Sequence, residues 1–310
     1  MNIVFFGSPQ EAIPSLKRVL EEGHDIRLII TQPDKPSGRG RKLNPPPVKK
    51  IAAEKKLPVF QPKKTRKDPS AVQKIKSVNP DINVVVAYGQ IIPGSLIYLP
   101  PYNSINLHFS LLPRYRGASP VQWALLNGEH KTGVTVFQLN EKMDEGDMLS
   151  QEEVNIHHGE TAPQLKSRLA QIGAYLLVRT LSRIDQITPL PQKESQASYA
   201  PRIKKHQGQI DWNKDSHFIE RQVRAMKPWP SSFTFFKQKR IKIHQGVAEN
   251  RKVSSFSPGE IVEVDKTGIA VCCGDNKIYR IQELQPENKK NMSAYSFSLG
   301  SHIEKGSQFS

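Results

Sequence analysis

The chain opens with a short apolar run, Ile3 to Phe6, then a Gly7-Ser8-Pro9 turn and a stretch from Glu11 to Glu22. In that stretch Ile13, Leu16, Val19 and Leu20 share one helical face, and Gly23 closes the helix. Ile26 to Ile30 returns to near-continuous apolar character. This order of strand, helix and strand predicts the start of an open, mostly parallel, Rossmann-like α/β sheet. The first turn lacks the Gly-x-Gly-x-x-Gly spacing, so nothing in it asks for a dinucleotide. Further on, Val48 to Lys56 predicts a short helix and Val59-Phe60 a brief strand. Asp68-Pro69 reads as an N-cap and first-turn pair for the helix through Val72 and Ile75. Ile82 to Ala87 is rich in β-branched residues and nearly continuous in apolar character, as expected for a central strand buried on both faces. Tyr88 to Pro93 follows at its carboxyl end, where open α/β sheets place ligands.

From Ile105 to His108 apolar and polar residues alternate, so Asn106 and His108 point to the same side of one strand. The run Ser110-Leu111-Leu112-Pro113-Arg114-Tyr115-Arg116-Gly117 behind it places that pair at the mouth of a loop. Such an address suits an active site, and equally an ordinary strand-end turn. Pro120 to Leu126 predicts a helix, Gly133 to Leu139 a strand, Met143 to Met148 a tight turn and Leu149 to Val154 another strand. Thr161 to Ile184 carries Leu165, Leu169, Ile172, Leu176 and Leu181 at helical spacing, a stripe that belongs to the core.

From Thr188 the sequence turns polar and proline-punctuated. The expected organisation is an α/β domain over residues 1–188, a linker over 189–207 and a second domain over 208–310. In the latter, a helix at His217 to Met226 precedes short strands at Phe233 to Phe236, Ile241 to His244, Glu260 to Val264, Gly268 to Val271 and Lys277 to Ile281. That spacing predicts a small, OB-like β-barrel. After Asn291 the sequence is polar, and a frayed end is expected.

Charge changes this picture. The 45 Lys and Arg residues exceed 29 Asp and Glu, a net charge of +16 that favours a polyanionic partner. Between Asp34 and Lys76 there are fourteen Lys or Arg against three Asp or Glu, and between Ile203 and Ser310 eighteen against eleven. The connection from Thr31 to Pro47 is far longer than the usual ~2–6 residues of an α/β unit. Glycines flank Arg39 within it and prolines stiffen it, which fits a nucleic-acid contact loop or a solvated basic loop. The two cysteines, Cys272 and Cys273, are adjacent and suit neither a disulfide framework nor a zinc site, so a reducing cytoplasm is expected. No apolar run approaches the ~20 residues of a membrane span, and the first one lacks a basic leader.

Asn106 offers a neutral hydrogen-bond donor, His108 a group that exchanges protons near neutrality, and Asp144 a carboxylate able to orient an imidazole. Together they suit acyl transfer. No serine or cysteine nucleophile is needed when the acceptor is an amine, since α-amino groups titrate near ~8. Singly each residue could be structural, and His108 with Asp144 could be part of a metal site for which no further ligands cluster.

The pattern Asn-x-His-x-Ser-Leu-Leu-Pro-x-x-Arg-Gly, followed by Asp-x-Gly-Asp, resembles the 10-formyltetrahydrofolate-dependent formyltransferases. Six further stretches extend the likeness over nearly the whole chain: Gln32-Pro33-Asp34 to Lys42-Leu43, Val84 to Gly89, Met143 to Met148, Tyr199 to Ile203, Asp211-Trp212 and Pro228-Trp229-Pro230. They are similar to those of family members whose acceptor is the initiator methionyl-tRNA. The resemblance implies an enzyme with Asn106, His108 and Asp144 as catalytic residues, making N-formylmethionyl-tRNA for translation initiation. It implies a folate pocket lined by Ser110, Leu111, Leu112 and Pro113 with Tyr88, Gly89, Gln90, Ile91 and Ile92. Arg39, Arg41 and Lys42 would enter the acceptor end of the tRNA, and the C-terminal barrel would hold its acceptor arm. 10-Formyltetrahydrofolate would be consumed as a co-substrate by a monomer, with no metal and no membrane. A formyltransferase acting on a sugar-nucleotide amine would share the catalytic residues, and a non-catalytic RNA-binding protein would explain the charge but not those residues.

Overall fold

The computed structural model describes residues 1–37 and 42–310. Arg39 and Arg41 lie outside the described residues, as do the side chains of Ser37 and Lys42. The chain forms two compact units: Met1–Pro120, Lys131–Asn155 and Lys166–Pro201 make the first, and Val121–His130, Ile156–Leu165 and Arg202–Ser310 the second.

The first unit is built on strands β1 (Asn2–Gly7), β2 (Asp25–Ile30), β3 (Lys35–Ser37), β4 (Lys42–Asn44), β5 (Val59–Phe60), β6 (Ile82–Val86), β7 (Ser104–His108), β8 (Lys131–Gln138) and β9 (Met148–Asn155). Seven of them form one sheet in the order β5-β2-β1-β6-β7-β8-β9. The strands from β5 to β7 run parallel, and β8 and β9 turn antiparallel at the far edge. The expected mostly parallel sheet is therefore present. β3 and β4 pair with each other and, among the described residues, with no other strand, so the connection after β2 carries two short antiparallel strands where its composition predicts loop. Pro36 sits in this two-stranded ribbon, where it removes no bond from a central ladder.

Helices α1 (Ile13–Glu21), α2 (Pro47–Glu54), α3 (Pro69–Lys76), α4 (Gly94–Ile97) and, from Lys166 on, α6 (Ala162–Leu181) belong to this unit, while α5 (Pro120–Leu126) belongs from Val121 on to the second. Asp68 caps α3 by accepting from the Ser70 N–H at 3.0 Å. All five residues of β6 are buried, as its composition predicts. The polar exception, Asn83, donates to the Leu96 carbonyl at 2.8 Å and to Ser104 Oγ at 3.0 Å, so its burial is partly compensated. Beneath β7 the helix α6 approaches closely: a Cβ on Gly173 would stand 2.7 Å from Leu107 Cδ2. That contact fixes the strand carrying Asn106 and His108.

The second unit contains α7 (Ser216–Ala225), β10 (Ser232–Phe236), β11 (Lys239–Lys252), β12 (Ile261–Asp265), β13 (Gly268–Cys272), β14 (Lys277–Pro286), β15 (Met292–Ser293) and α8 (Ala294–Ser301). Its strands are antiparallel in the order β10-β11-β14-β13-β12, with β15 on β14. Register shifts along β11 bend that long strand. The core gathers Trp212, Ile219, Val223, Ile241, Ile243, Ile261, Ile269, Val271, Tyr279 and Ile281. The chain end is not frayed, contrary to expectation. Phe297, Ile303 and Phe309 are buried, Phe309 stacks on Trp212 at 6.0 Å, and Ser310 exchanges backbone hydrogen bonds with Phe235. Three large apolar side chains spaced through a polar segment supply the burial that its average composition hides. Both cysteines are buried and free of a disulfide, and burial pushes the Cys273 thiol well up. Among the described residues no helix is long and apolar enough to cross a membrane.

Candidate active site

β7 ends at His108 between β6 and β8, so its last side chains open at the carboxyl edge of the parallel strands. Asn106 is half-buried, and among the described residues no side-chain hydrogen-bond partner takes its amide. His108 is buried, with the edge of Phe137 packed against its ring at a centroid separation of 6.4 Å. Its Nε2 lies 3.0 Å from the Tyr115 carbonyl oxygen. A carbonyl only accepts, so Nε2 carries a proton and Nδ1 is the nitrogen left for exchange. Nδ1 stands 3.7 Å from Asp144 Oδ2, which brings the predicted imidazole and carboxylate together. That separation is longer than a direct hydrogen bond and leaves the proton position open to a third group.

Asp144 comes from the turn between β8 and β9, 36 residues after His108 in the chain numbering. Its backbone is left-handed, φ 55°, and its Oδ2 accepts from the Gly117 N–H at 2.8 Å. Tyr115, φ 61°, and Ala87, φ 48°, adopt the same region. A non-glycine residue pays roughly 1–2 kcal/mol there, and three of them around one strand edge mark a site whose surroundings hold it in shape. Gly117 has φ 122°, and a Cβ there would meet the Ala200 carbonyl oxygen at 2.7 Å. Only glycine fits that close approach.

The loop from Ser110 to Pro113 is held from beneath. The Thr135 hydroxyl donates to the Ser110 carbonyl at 2.7 Å and accepts from the Leu112 N–H at 3.2 Å, while Gln151 Nε2 donates to the Leu112 carbonyl at 3.0 Å. Ser110 itself donates to the Arg114 carbonyl at 2.7 Å. Ser110, Leu112 and Pro113 are buried, and Leu111 is half-buried over Gly133, where a Cβ would stand 2.4 Å from its Cδ2. In the second predicted stretch Tyr88 and Ile92 belong to the core, whereas Gly89 and Ile91 are exposed and Gln90 half-buried. The Tyr88 hydroxyl is 2.5 Å from Thr65 Oγ1, and burial pushes its phenol up. Gln90 Oε1 accepts from the Thr65 N–H at 2.9 Å. Tyr88 therefore shapes the wall from behind, and Gly89, Gln90 and Ile91 present the surface. Alongside it, a cleft of about 360 Å³ opens over the ends of β1 and β6, lined by Ser8, Gln32, Lys35, Asn44, Ala87 and five prolines.

Sequence reasoning gave no role to the side chains that tie these pieces together. Arg116 is almost wholly buried. Its Nε donates to Gln192 Oε1 at 3.0 Å, and its terminal nitrogen lies 2.9 Å from Glu194 and 3.8 Å from Glu145. The segment around Ala200 pairs with the loop through Arg116 N–H to the Ser198 carbonyl, 2.8 Å, and Ala200 N–H to the Arg116 carbonyl, 2.7 Å. Arg116 stood inside the recognised motif, which was its one signal. Thr135, Gln151 and Gln192 lie in stretches whose composition reads as ordinary strand or linker.

Residues 1–181 match the family model described as formyl transferase, and residues 202–302 the one described as formyl transferase, C-terminal domain. The methionyl-tRNA formyltransferase of Geobacter metallireducens is 44% identical over 309 residues, covering 99% of this chain and 97% of that one. That of Alkaliphilus oremlandii is 42% identical over 308 residues, covering 99% and 98%. Among solved structures, WlaRD, a sugar 3N-formyl transferase crystallised in the presence of dTDP and 5-N-formyl-THF, superposes with a TM-score of 0.67. It has 20% identity and covers 94% of this chain and 99% of that one, a likeness of fold.

Proposed function

Because the chain belongs to the formyl transferase family, we propose a division of labour in which Asn106, His108 and Asp144 perform the chemistry. The chain transfers a formyl group to the α-amino group of initiator methionyl-tRNA, giving N-formylmethionyl-tRNA for translation initiation. The formyl donor is a tetrahydrofolate, and in our reading it is 10-formyltetrahydrofolate, consumed as a co-substrate. The observation that carries the catalytic assignment is the His108–Asp144 pair at 3.7 Å beside an amide that has no protein partner among the described residues.

In the reaction the free methionyl amine attacks the formyl carbonyl, and negative charge develops on its oxygen. The Asn106 amide and an Nδ1–H of protonated His108 stabilise that oxygen. The attacking nitrogen gains positive charge and must shed a proton, while the departing folate nitrogen must gain one. Asp144 is the base that takes the first and hands it on to the folate nitrogen, while the Tyr115 carbonyl at Nε2 keeps the His108 ring oriented. Proton count is conserved, with one leaving the amine and one arriving on the folate nitrogen. Ser110 to Pro113 and Gly89 to Ile91 form the surface for the folate, with Tyr88 and Ile92 supporting it from the core.

For the tRNA we assign Arg39, Arg41 and Lys42 to the acceptor end and the basic second unit to the acceptor arm. An unpaired or weakly paired end exposes base edges that arginine can bond or stack upon. One copy of the chain suffices in this reading, because every group named at the chemical centre comes from it, and the cysteine usage fits the cytoplasm.

The direct test offers the purified protein initiator and elongator methionyl-tRNA with 10-formyltetrahydrofolate. Formylation of the initiator well above the elongator is expected, and product on neither would return the sugar-nucleotide and RNA-binding readings. A second expectation concerns the loop: Arg39→Ala should raise KM for initiator tRNA by about tenfold, the loss of one base or phosphate contact. KM for the formyl donor should change by less than about twofold. Unchanged use of tRNA would remove Arg39 from the tRNA interface.

A further inference from the structure

We infer that Gln192 is a positioning residue for Asp144, acting from the polar segment that follows α6. The inference rests on the catalytic assignment of Asp144. Gln192 Nε2 donates to the Asp144 carbonyl at 2.8 Å and to the Gly146 carbonyl at 2.8 Å. Its Oε1 accepts from Arg116 Nε at 3.0 Å. One side-chain amide thus uses both donor hydrogens on the turn that carries Asp144, and its acceptor on the loop that carries Gly117. Gly117 in turn donates its N–H to Asp144 Oδ2 at 2.8 Å. The carboxylate is therefore held at both ends, its backbone by Gln192 and its side-chain oxygen by Gly117.

The turn needs such a hold. Asp144 occupies the left-handed region, which a non-glycine residue does not keep without support. Gly146 is packed against β8, where a Cβ would stand 1.7 Å from the Gln138 carbonyl oxygen, so the turn has no room to relax inward. The segment bearing Gln192 is itself fixed on either side. Leu190 and Met148 exchange backbone hydrogen bonds at 2.9 Å, and Ser198 and Ala200 pair with the loop around Arg116. Arg116 lies against Glu194 at 2.9 Å, which keeps its guanidinium aimed at Gln192. What composition reads as a linker is, over Leu190 to Ala200, a strap across the active-site turn.

Positioning differs from simple support of the fold in what it predicts. Holding Asp144 at its distance from His108 affects the transition state, so its loss should fall on kcat and leave substrate binding alone. The test compares Gln192→Ala, Gln192→Glu, Asp144→Asn and the double variant Asp144→Asn/Gln192→Ala in steady-state formylation of initiator methionyl-tRNA. Gln192→Glu keeps side-chain length and an acceptor for Arg116 but has no donors for the two carbonyls, so it serves even where the alanine variant folds poorly. Both single Gln192 variants should lose about ten- to a hundredfold in kcat, the range of a misplacement of about 1 Å, with each KM within about twofold. In the Asp144→Asn background, Gln192→Ala should cost less than about twofold more, because the group it positions is already disabled. Gln192→Glu at full kcat overturns the inference, as does a Gln192→Ala loss that multiplies with that of Asp144→Asn. Asp144→Asn at full kcat would instead remove the catalytic assignment and the inference with it, a pattern distinct from an impaired Asp144→Asn beside an active Gln192→Glu.

Discussion

Replacing His108 by glutamine should lower kcat for formylation by ~10²–10⁴ and lower kcat/KM in the same proportion. The proportion matters as much as the size. In the proposed mechanism His108 meets the formyl oxygen only as charge develops on it, so the substrates bind as before and the barrier alone rises. Glutamine is the informative replacement because of the Tyr115 carbonyl, 3.0 Å from Nε2. A glutamine amide can still donate to that oxygen, whereas alanine would leave a buried acceptor unpaired at a cost of about 1–3 kcal/mol. A thermal unfolding midpoint near that of the parent, combined with the loss of rate, separates chemistry from folding. A His108→Gln enzyme within about tenfold of the parent would mean that the imidazole does not stabilise the developing oxyanion in the slow step.

How much of this could be read beforehand depended on the distance over which each contact forms. That Asn106 and His108 share a face follows from the two-residue period of a strand, and Ile105 to His108 did form one. The central position of Ile82 to Val86 followed from its apolar continuity, and the Asp68 cap from residue type at a helix start. Asp144 is different. Nothing local ties it to His108; its place was legible only through a resemblance spanning both motifs, and the ion-pair geometry had to come from the folded chain. Gln192 was illegible for a further reason. It bonds carbonyls 46 and 48 residues away and an arginine 76 residues away, and carbonyls exist at every position, so no residue type announces the match. The segment holding it looked like a linker because proline, serine and glutamine dominate both flexible linkers and straps whose hydrogen bonds go to backbone. The chain end was misread similarly, since Phe297, Ile303 and Phe309 are too sparse to form a pattern yet fill the core of the second unit.

Asn106→Ala should cost ~10²–10³ in kcat, the usual loss when one preorganised donor is removed from a developing oxyanion. The amide is suited to that role by what it lacks. Other polar side chains around the site are committed: Ser110 to the Arg114 carbonyl, Thr135 to Ser110 and Leu112, Gln151 to Leu112, and Gln192 to Asp144 and Gly146. Asn106 alone among these spends nothing on the protein within the described residues, so its donor is available without breaking an existing bond. Its truncation should therefore leave stability nearly unchanged, unlike loss of Thr135 or Arg116, which would release the loop. Asn106→Asp sharpens the comparison. It preserves shape and replaces the donor by a negative charge facing the oxygen that is becoming negative, so it should fall below Asn106→Ala in kcat. An aspartate variant more active than the alanine variant at neutral pH would place the oxyanion elsewhere. The strand face would then hold a residue that orients substrate without stabilising its charge, and His108 would carry the electrostatic burden alone.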